Sequence, residues 1–264
     1  MSIKLYEHPL SPYARKVKIV LYEKGIEFER IAITPMTIRE GDPAFADFAG
    51  ASPRLEVPCL LDGDFRCSDS TIIVDYIDEK WPDPPMLPKA PEARARARMV
   101  EELCDTSVDA INWGLMELRV FRRAEGEQAA AMTARAGAQL AAVWDRLDPE
   151  LDGRAWFSGG RFGRADASLI VHAVASGFSG FGPGERHPRL REWMARCMEV
   201  ESVKRDQADL AVFLGGDGVR AMRKLPKIRR QYRDHRLEWM LKSGGLDIVL
   251  RGIESETIHF VQWP

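Results

Sequence analysis

Ile3-Lys4-Leu5-Tyr6-Glu7-His8-Pro9-Leu10-Ser11-Pro12-Tyr13-Ala14-Arg15-Lys16-Val17 opens the chain as a strand that runs into a helix. Ile3 to His8 is strand-like. Ser11-Pro12 starts the helix, because the serine hydroxyl satisfies an otherwise orphan amide and proline is tolerated at the first helical position. Val17, Val20 and Leu21 then recur at helical spacing, and Gly25 stops the run. Outward from that start, Phe28 to Ile33 alternates as a second strand. Residues 34–54 are loop-rich, with a short helix expected around Pro43 to Phe48. Val57 to Leu61 and Asp64 to Cys67 flank Asp62-Gly63 and predict a hairpin. Ser70 to Lys80 predicts a helix with Ile72, Ile73, Tyr76 and Ile77 on its apolar face. Trp81-Pro82-Asp83-Pro84-Pro85 breaks any regular element and marks the best domain boundary.

Beyond the break the pattern is helical. Glu92 to Phe121 is one long periodic stretch and Glu127 to Leu147 another, followed by Ala165 to Ser176 and Pro188 to Glu199. Helix-only sequence after an α/β unit predicts a separate helical domain packed on the first. The last segment differs again. Arg220 to Lys242 carries nine Lys or Arg against Asp234 and Glu238 and predicts a basic helix. Gly244-Gly245 breaks it, and Ile248 to Leu250 and Thr257 to Val261 are β-prone.

The 264 residues are 45% apolar and 30% charged, ordinary globular composition with enough apolar residues for a real core. A net charge of -2 gives no general pull toward nucleic acid or membrane. No run of 18 apolar residues predicts a spanning helix, and the N-terminus enters a strand pattern without a secretory leader. The four cysteines, Cys59, Cys67, Cys104 and Cys197, have no CxxC spacing. That fits a reducing cytoplasm, with neither a disulfide framework nor a metal site.

Three marks carry the candidate chemistry. Ser11 is an ideal N-cap, and the cap alone accounts for it about as well as function does. Its position adds more. A helix N-terminus favours an anion, and a hydroxyl donor beside it adds a charge-assisted bond. Together they would lower a thiol pKa by about one to two units from ~8.5. Val57-Pro58 is either an edge marker or, if its bond is cis, a backbone that pairs with an extended peptide. Asp69-Ser70 is again a cap. Taken functionally, Ser70 and the amides after it would hold an α-carboxylate and Asp69 the neighbouring ammonium.

In this order and spacing, Ser11-Pro12-Tyr13-Ala14-Arg15-Lys16-Val17, Val57-Pro58-Cys59-Leu60, Asp69 to Ile77 and Trp81-Pro82 resemble the soluble glutathione S-transferase superfamily, over about residues 3–210. The resemblance is to a bacterial serine-type member with a C-terminal extension. It implies a thioredoxin-like glutathione-binding domain at 1–82, an all-helical substrate-binding domain at 91–215, and an extension at 216–264 packed on the helical domain. It implies a glutathione transferase that needs no metal, acting on a hydrophobic small-molecule electrophile, as a cytoplasmic homodimer with no nucleic-acid or membrane partner. Ser11 would stabilise the glutathione thiolate. Ser11, Tyr13, Val57, Pro58, Asp69 and Ser70 would bind glutathione. Leu10, Trp113, Met116 and Phe121 would line the electrophile pocket, and Asn112 and Arg119, near the same stretch, would orient a leaving group.

The resemblance leaves Tyr6 as a rival to Ser11 for the thiolate. Asp166, after Gly163, looks like a capping device rather than a catalyst. The loop Ser52-Pro53-Arg54-Leu55-Glu56 departs from the family pattern, with Glu56 where the family often holds the peptide. Arg39 or Arg54 is then the candidate for the glycyl carboxylate. Asp-Ser at 69–70, rather than Glu-Ser, resembles bacterial members that cleave lignin ethers. An ether-cleaving or dehalogenating enzyme and a non-catalytic binding protein are the alternatives. Trp239, Met240, Phe260 and Trp263 are expected to dock the tail on the helical domain and partly roof the pocket.

Overall fold

The computed structural model describes residues 3–33, 43–216 and 229–260. Strand β1 (Ile3–Glu7), helix α1 (Pro12–Glu23) and strand β2 (Phe28–Ala32) form a parallel β-α-β unit, with Ile3 opposite Phe28 and Glu7 opposite Ala32. Helix α2 (Pro43–Ala51) leads into the hairpin β3 (Cys59–Asp62) and β4 (Phe65–Ser68), and helix α3 (Ser70–Lys80) closes the unit. The hairpin turns at Gly63, whose φ of 62° favours glycine. The strands lie in the order β2-β1-β3-β4, with β3 antiparallel to β1. This is the thioredoxin-like arrangement expected from the sequence.

The helical part comprises α4 (Pro91–Leu103), α5 (Asp109–Arg119), α6 (Gly126–Leu147), α7 (Arg164–Phe178), α8 (Pro188–Glu199) and α9 (Glu201–Gly215). The single stretch predicted from Glu92 to Phe121 is two helices. Cys104–Val108 forms one wide π turn between them. Such a turn inserts an extra residue, and insertions of this kind recur where a site needs one side chain re-aimed. Here it delivers Asp105 to Lys16 of α1.

Asp166 is the capping device the sequence indicates. Its carboxylate accepts from the amides of Phe157 (2.9 Å), Ser158 (3.1 Å) and Gly163 (3.2 Å) and from Trp193 Nε1 (2.8 Å). Gly163 lacks a capping side chain, and Ser158 supplies one instead, its Oγ accepting from the Ala165 amide at 3.2 Å. A Cβ at Gly163 would stand 2.5 Å from the Met86 carbonyl oxygen and 2.6 Å from Ser158 Cβ. Glycine is what admits that substitute cap.

Helix α1 is packed on all sides, against α3 and, across the join, against α7 and α9. Its charged residues are therefore buried as well as its apolar ones. Arg15 reaches Asp206 of α9 with Nε at 2.9 Å and Nη2 at 2.7 Å. Lys16 reaches Glu101 at 2.9 Å and Asp105 at 2.5 Å. Arg164 of α7, also buried, donates to Glu101 at 2.6 Å and contacts Asp75 of α3. Burial alone would depress Lys16, but the Asp105 and Glu101 carboxylates overcome it and hold its pKa above the ordinary value.

The segment after α9 differs from its sequence reading. Of the basic stretch 220–242, residues 220–228 lie outside the described residues. Among the described residues of that stretch, Arg230–Gln231 is a short strand, β5, and Asp234–Lys242 is a helix, α10. Ile248 to Leu250 lies inside a further helix, α11 (Leu246–Glu254), not a strand. Ile248, Val249 and Gly252 face inward at helical spacing, and a Cβ on Gly252 would come within 2.1 Å of Ile258 Cδ1. Ile258–His259 is β6, parallel to β5.

Helix α10 packs on α5. Met240 is fully buried and Trp239 nearly so, with Trp239 Nε1 donating to Gln139 Oε1 at 2.8 Å. The Trp239 ring rests on Gly114, where a Cβ would fall 2.0 Å from the ring. Gly114→Ala is expected to destabilise the protein by about 1–3 kcal/mol, as overpacked cores do. It should also open α10 to early tryptic cleavage. Chemical denaturation and timed trypsin digestion check this; unchanged stability with an intact tail would contradict the packing.

All four cysteines are buried free thiols. Burial pushes the Cys59 thiol up to about 12, so it packs as a small hydrophobe. Among the described residues no helix is long and apolar enough to cross a membrane.

Candidate active site

Two helix N-termini converge on one cleft of about 1430 Å³ between the α/β unit, the helical part and the tail. Ser11 caps the first. It is extended (φ -75°, ψ 115°), and its Oγ accepts from the Ala14 amide at 3.3 Å. A serine hydroxyl keeps a donor after accepting, and among the described residues the Ser11 O–H has no acceptor. His8 lies beside it, but its Nδ1 accepts from the Leu10 amide at 3.2 Å. Burial lowers the His8 pKa, so the ring is neutral.

Asp69 caps the second N-terminus, that of α3. Both cap bonds, from the Thr71 amide at 3.0 Å and the Ile72 amide at 3.4 Å, end on Oδ1. Oδ2 has no hydrogen-bond partner among the described residues, so the cap leaves half the carboxylate open. Asp69 also sits at φ 75°, a conformation that L residues other than Asn and Asp rarely adopt. Ser70 follows it, buried at the first turn of α3. The Val57-Pro58 bond, whose isomer the sequence left open, is cis.

The cleft is lined by every residue expected to bind glutathione: Ser11, Tyr13, Val57, Pro58, Asp69 and Ser70. Leu10, Trp113, Met116 and Asn112 line it too. Phe121 and Arg119 do not. Helix α5 ends at Arg119, which turns away to donate to the Ser179 carbonyl at 2.7 Å and to stack on Phe181. Phe121 lies instead under Arg230. Tyr6 is 1% exposed and packs in a small core with Phe48, its ring centroid 5.6 Å away. The rival phenol therefore faces away from the cleft.

Tyr13 looks toward the helical side. Its hydroxyl donates to the Asp105 carbonyl at 2.7 Å and its ring lies near Arg236. Burial, with the Asp109 carboxylate, pushes its phenol well above the ordinary value, so it stays protonated. Asp109 is itself buried. Burial would raise its pKa, but the Arg236 guanidinium, donating at 2.8 and 3.2 Å, holds it well below the carboxylate range.

The tail reaches further than a roof over the electrophile side. Arg233 Nη1 donates to both Glu56 oxygens at 2.7 and 2.6 Å, tying the tail to the loop before Val57. Arg54 also contacts Glu56, Nε to Oε2 at 3.0 Å. The departure at Glu56 thus has a structural partner in the extension. Tyr232 OH and Arg230 Nε close on Glu117 of α5 at 2.9 and 2.7 Å. Phe260 lines the cleft at 42% exposure. Trp263 and Arg39 lie outside the described residues. Sequence reasoning missed Arg233, His235, Arg236 and His172 as cleft residues. The basic run 220–242 was the available signal for the first three, and a histidine inside the apolar run Leu169 to Val174 for the last.

Residues 5–85 match the family model described as glutathione S-transferase, N-terminal domain, and residues 110–201 match glutathione S-transferase, C-terminal domain. Glutathione S-transferase Z1 of Arabidopsis thaliana is 41% identical over 94 residues, a match that covers 36% of this chain and only 41% of that protein's length. Glutathione S-transferase U1 of the same plant is 27% identical over 215 residues, covering 77% of this chain and 87% of that one. Among solved structures, a glutathione S-transferase from Methylobacterium radiotolerans in complex with glutathione sulfonate superposes with a TM-score of 0.65 at 26% identity. It covers 78% of this chain and 94% of that one. With both family models matched in order along the chain, the chain belongs to the soluble glutathione S-transferase superfamily.

Proposed function

We propose that the protein is a glutathione transferase that activates the glutathione thiolate for attack on an electrophile bound in the same cleft. One observation carries the reading: the α1 and α3 N-termini and the Val57-Pro58 backbone line a single cleft, as an extended peptide with a thiol and an α-amino acid end requires. The cysteinyl unit lies along Val57. The γ-glutamyl carboxylate meets Ser70 and the α3 amides, and its ammonium meets the open Oδ2 of Asp69. The thiol faces the Ser11 hydroxyl and the positive end of α1. The thiolate sulfur then forms a bond to an electrophilic carbon. In a substitution the leaving group departs with its electron pair; in an addition the carbanion takes a proton from solvent. The protein lowers the thiol pKa and holds the reactants together.

A homodimer through α3 and α4 is part of this proposal, supported by the exposed Phe65, Ile72 and Met99 on β4, α3 and α4. The cytoplasm is the proposed compartment, supported by four unpaired thiols.

Ser70→Ala is expected to weaken glutathione about tenfold, the loss of one hydrogen bond to a charged carboxylate. Calorimetric titration of glutathione into both proteins checks it. Equal affinities, or no binding by the wild type at millimolar concentration, would sink the assignment.

A further inference from the structure

His172 sits midway along α7 between Val171 and Ala173, 1% exposed, and lines the cleft. Neither ring nitrogen has a hydrogen-bond partner among the described residues. Burial lowers its pKa, so the ring is neutral and offers one donor and one acceptor. Buried polar side chains left open in this way are rare, because the desolvation cost is not offset.

The polar groups around it are already engaged. The Tyr13 hydroxyl is held by the Asp105 carbonyl. Asn112 donates to the His172 carbonyl at 3.1 Å and accepts from Ser176 Oγ at 2.9 Å. Asp109 is taken by Arg236, and the Asp105 carboxylate by Lys16, Thr71 and Ser168. Among the described residues, His259 Nδ1 is the other buried ring nitrogen on the cleft wall without a partner, but that residue is only half-buried, on the tail.

The His172 ring centroid lies 6.4 Å from that of Tyr13, two positions after Ser11. His172 thus lines the same cleft as Tyr13 and Ser11, on the wall made by the helical part. Asp105 Oδ1 is 3.9 Å from His172 Nε2, which disfavours a carboxylate at the same place.

We propose that His172 is a specificity-determining contact that receives a neutral oxygen, hydroxyl or carbonyl, carried by the electrophile. The inference rests on the glutathione-dependent reading above and names its second substrate class: an electrophile with a hydrogen-bonding oxygen, not a purely apolar one. His172 takes no part in bond making; it orients and selects.

Product mimics test this without turnover. S-benzylglutathione is compared by calorimetry with its 2-, 3- and 4-hydroxybenzyl counterparts, on the wild type, His172→Phe and His172→Gln. The wild type is expected to bind at least one hydroxylated mimic about tenfold more tightly than S-benzylglutathione, the worth of one buried hydrogen bond. His172→Phe should erase that preference while binding S-benzylglutathione and glutathione within about twofold of wild type. His172→Gln, which keeps a donor and an acceptor, should restore part of it. Glutathione bound with no preference among mimics overturns this inference alone, and a structural water then satisfies the ring. A preference that survives in His172→Phe also overturns it. Failure of the wild type to bind glutathione overturns both this inference and the reading beneath it.

Discussion

Replacing Lys16 with methionine is expected to cost about 3–5 kcal/mol of stability, the usual loss when one member of a buried ion pair is removed. Lys16 has no exposed surface. It stands between Glu101 of α4 and Asp105 of the π turn, and its ammonium also meets Thr71 Oγ1 of α3 at 3.4 Å. Methionine fills the space but leaves the Asp105 carboxylate, among the described residues, with the hydroxyl donors Thr71 and Ser168 alone. Glu101 keeps Arg164 and suffers less. The pH dependence separates this cause from poor packing. The Lys16 pKa is raised above its ordinary 10.5, so its contribution is fully present below that pH and is lost as pH rises through the folded value. The stability deficit of the variant should therefore be full at pH ~7 and shrink above pH ~10.5. Urea denaturation at pH ~7 and ~11 measures both. A deficit below about 1 kcal/mol at pH ~7 would mean the cluster is not coupled to folding.

Ser11→Ala is expected to lower kcat/KM with any accepted electrophile by about 10²-fold, with the KM for glutathione changed less than about threefold. The proposed function gives the hydroxyl a second role beside its cap, and the two must be separated. As a cap it holds the Ala14 amide, and its loss costs about 1 kcal/mol of helix stability. As a donor, in the proposed function, its O–H would face the thiolate, and a charge-assisted bond is worth roughly 1.5–3 kcal/mol. Ser11→Asp distinguishes the two. Aspartate caps as well as serine, but its charge opposes a thiolate. If the cap were the whole role, Ser11→Asp would be active and Ser11→Ala only less stable. The proposed chemistry requires Ser11→Asp to be the worse of the two.

The marks legible in the sequence are those whose physics is local. Ser11-Pro12, Asp69-Ser70 and Asp166 are caps, and a cap needs only the next few amides. Val57-Pro58 and Trp81-Pro82 are backbone constraints read from one residue pair. Hence the α/β order and most site positions follow from neighbouring residues alone. The illegible parts depend on distant partners. Arg15, Lys16 and Lys18 look like a solvated face, yet Asp206, Glu101 and Asp209, which hold them, lie 85 to 191 positions away. Nothing within α1 signals that a second domain covers it. The π turn is equally hidden, since Cys104 to Val108 continues the apolar spacing of its neighbours. In the tail, Ile248-Val249-Leu250 is β-prone by residue type, but Gly252 against Ile258 and the α10 packing decide for a helix. Glu56 read as a departure at the peptide-binding loop, and its reason, Arg233, lies 177 residues on.

The most direct test of the central claim is the pH titration of thiolate absorbance, at about 240 nm, for glutathione bound to the wild-type protein. The account predicts a midpoint about one to two units below the ~8.5 of a free thiol, moving back toward that value in Ser11→Ala while glutathione remains bound. A midpoint at the free-thiol value in the wild type would contradict it. Glutathione would then be bound without activation, and the cleft would serve binding alone.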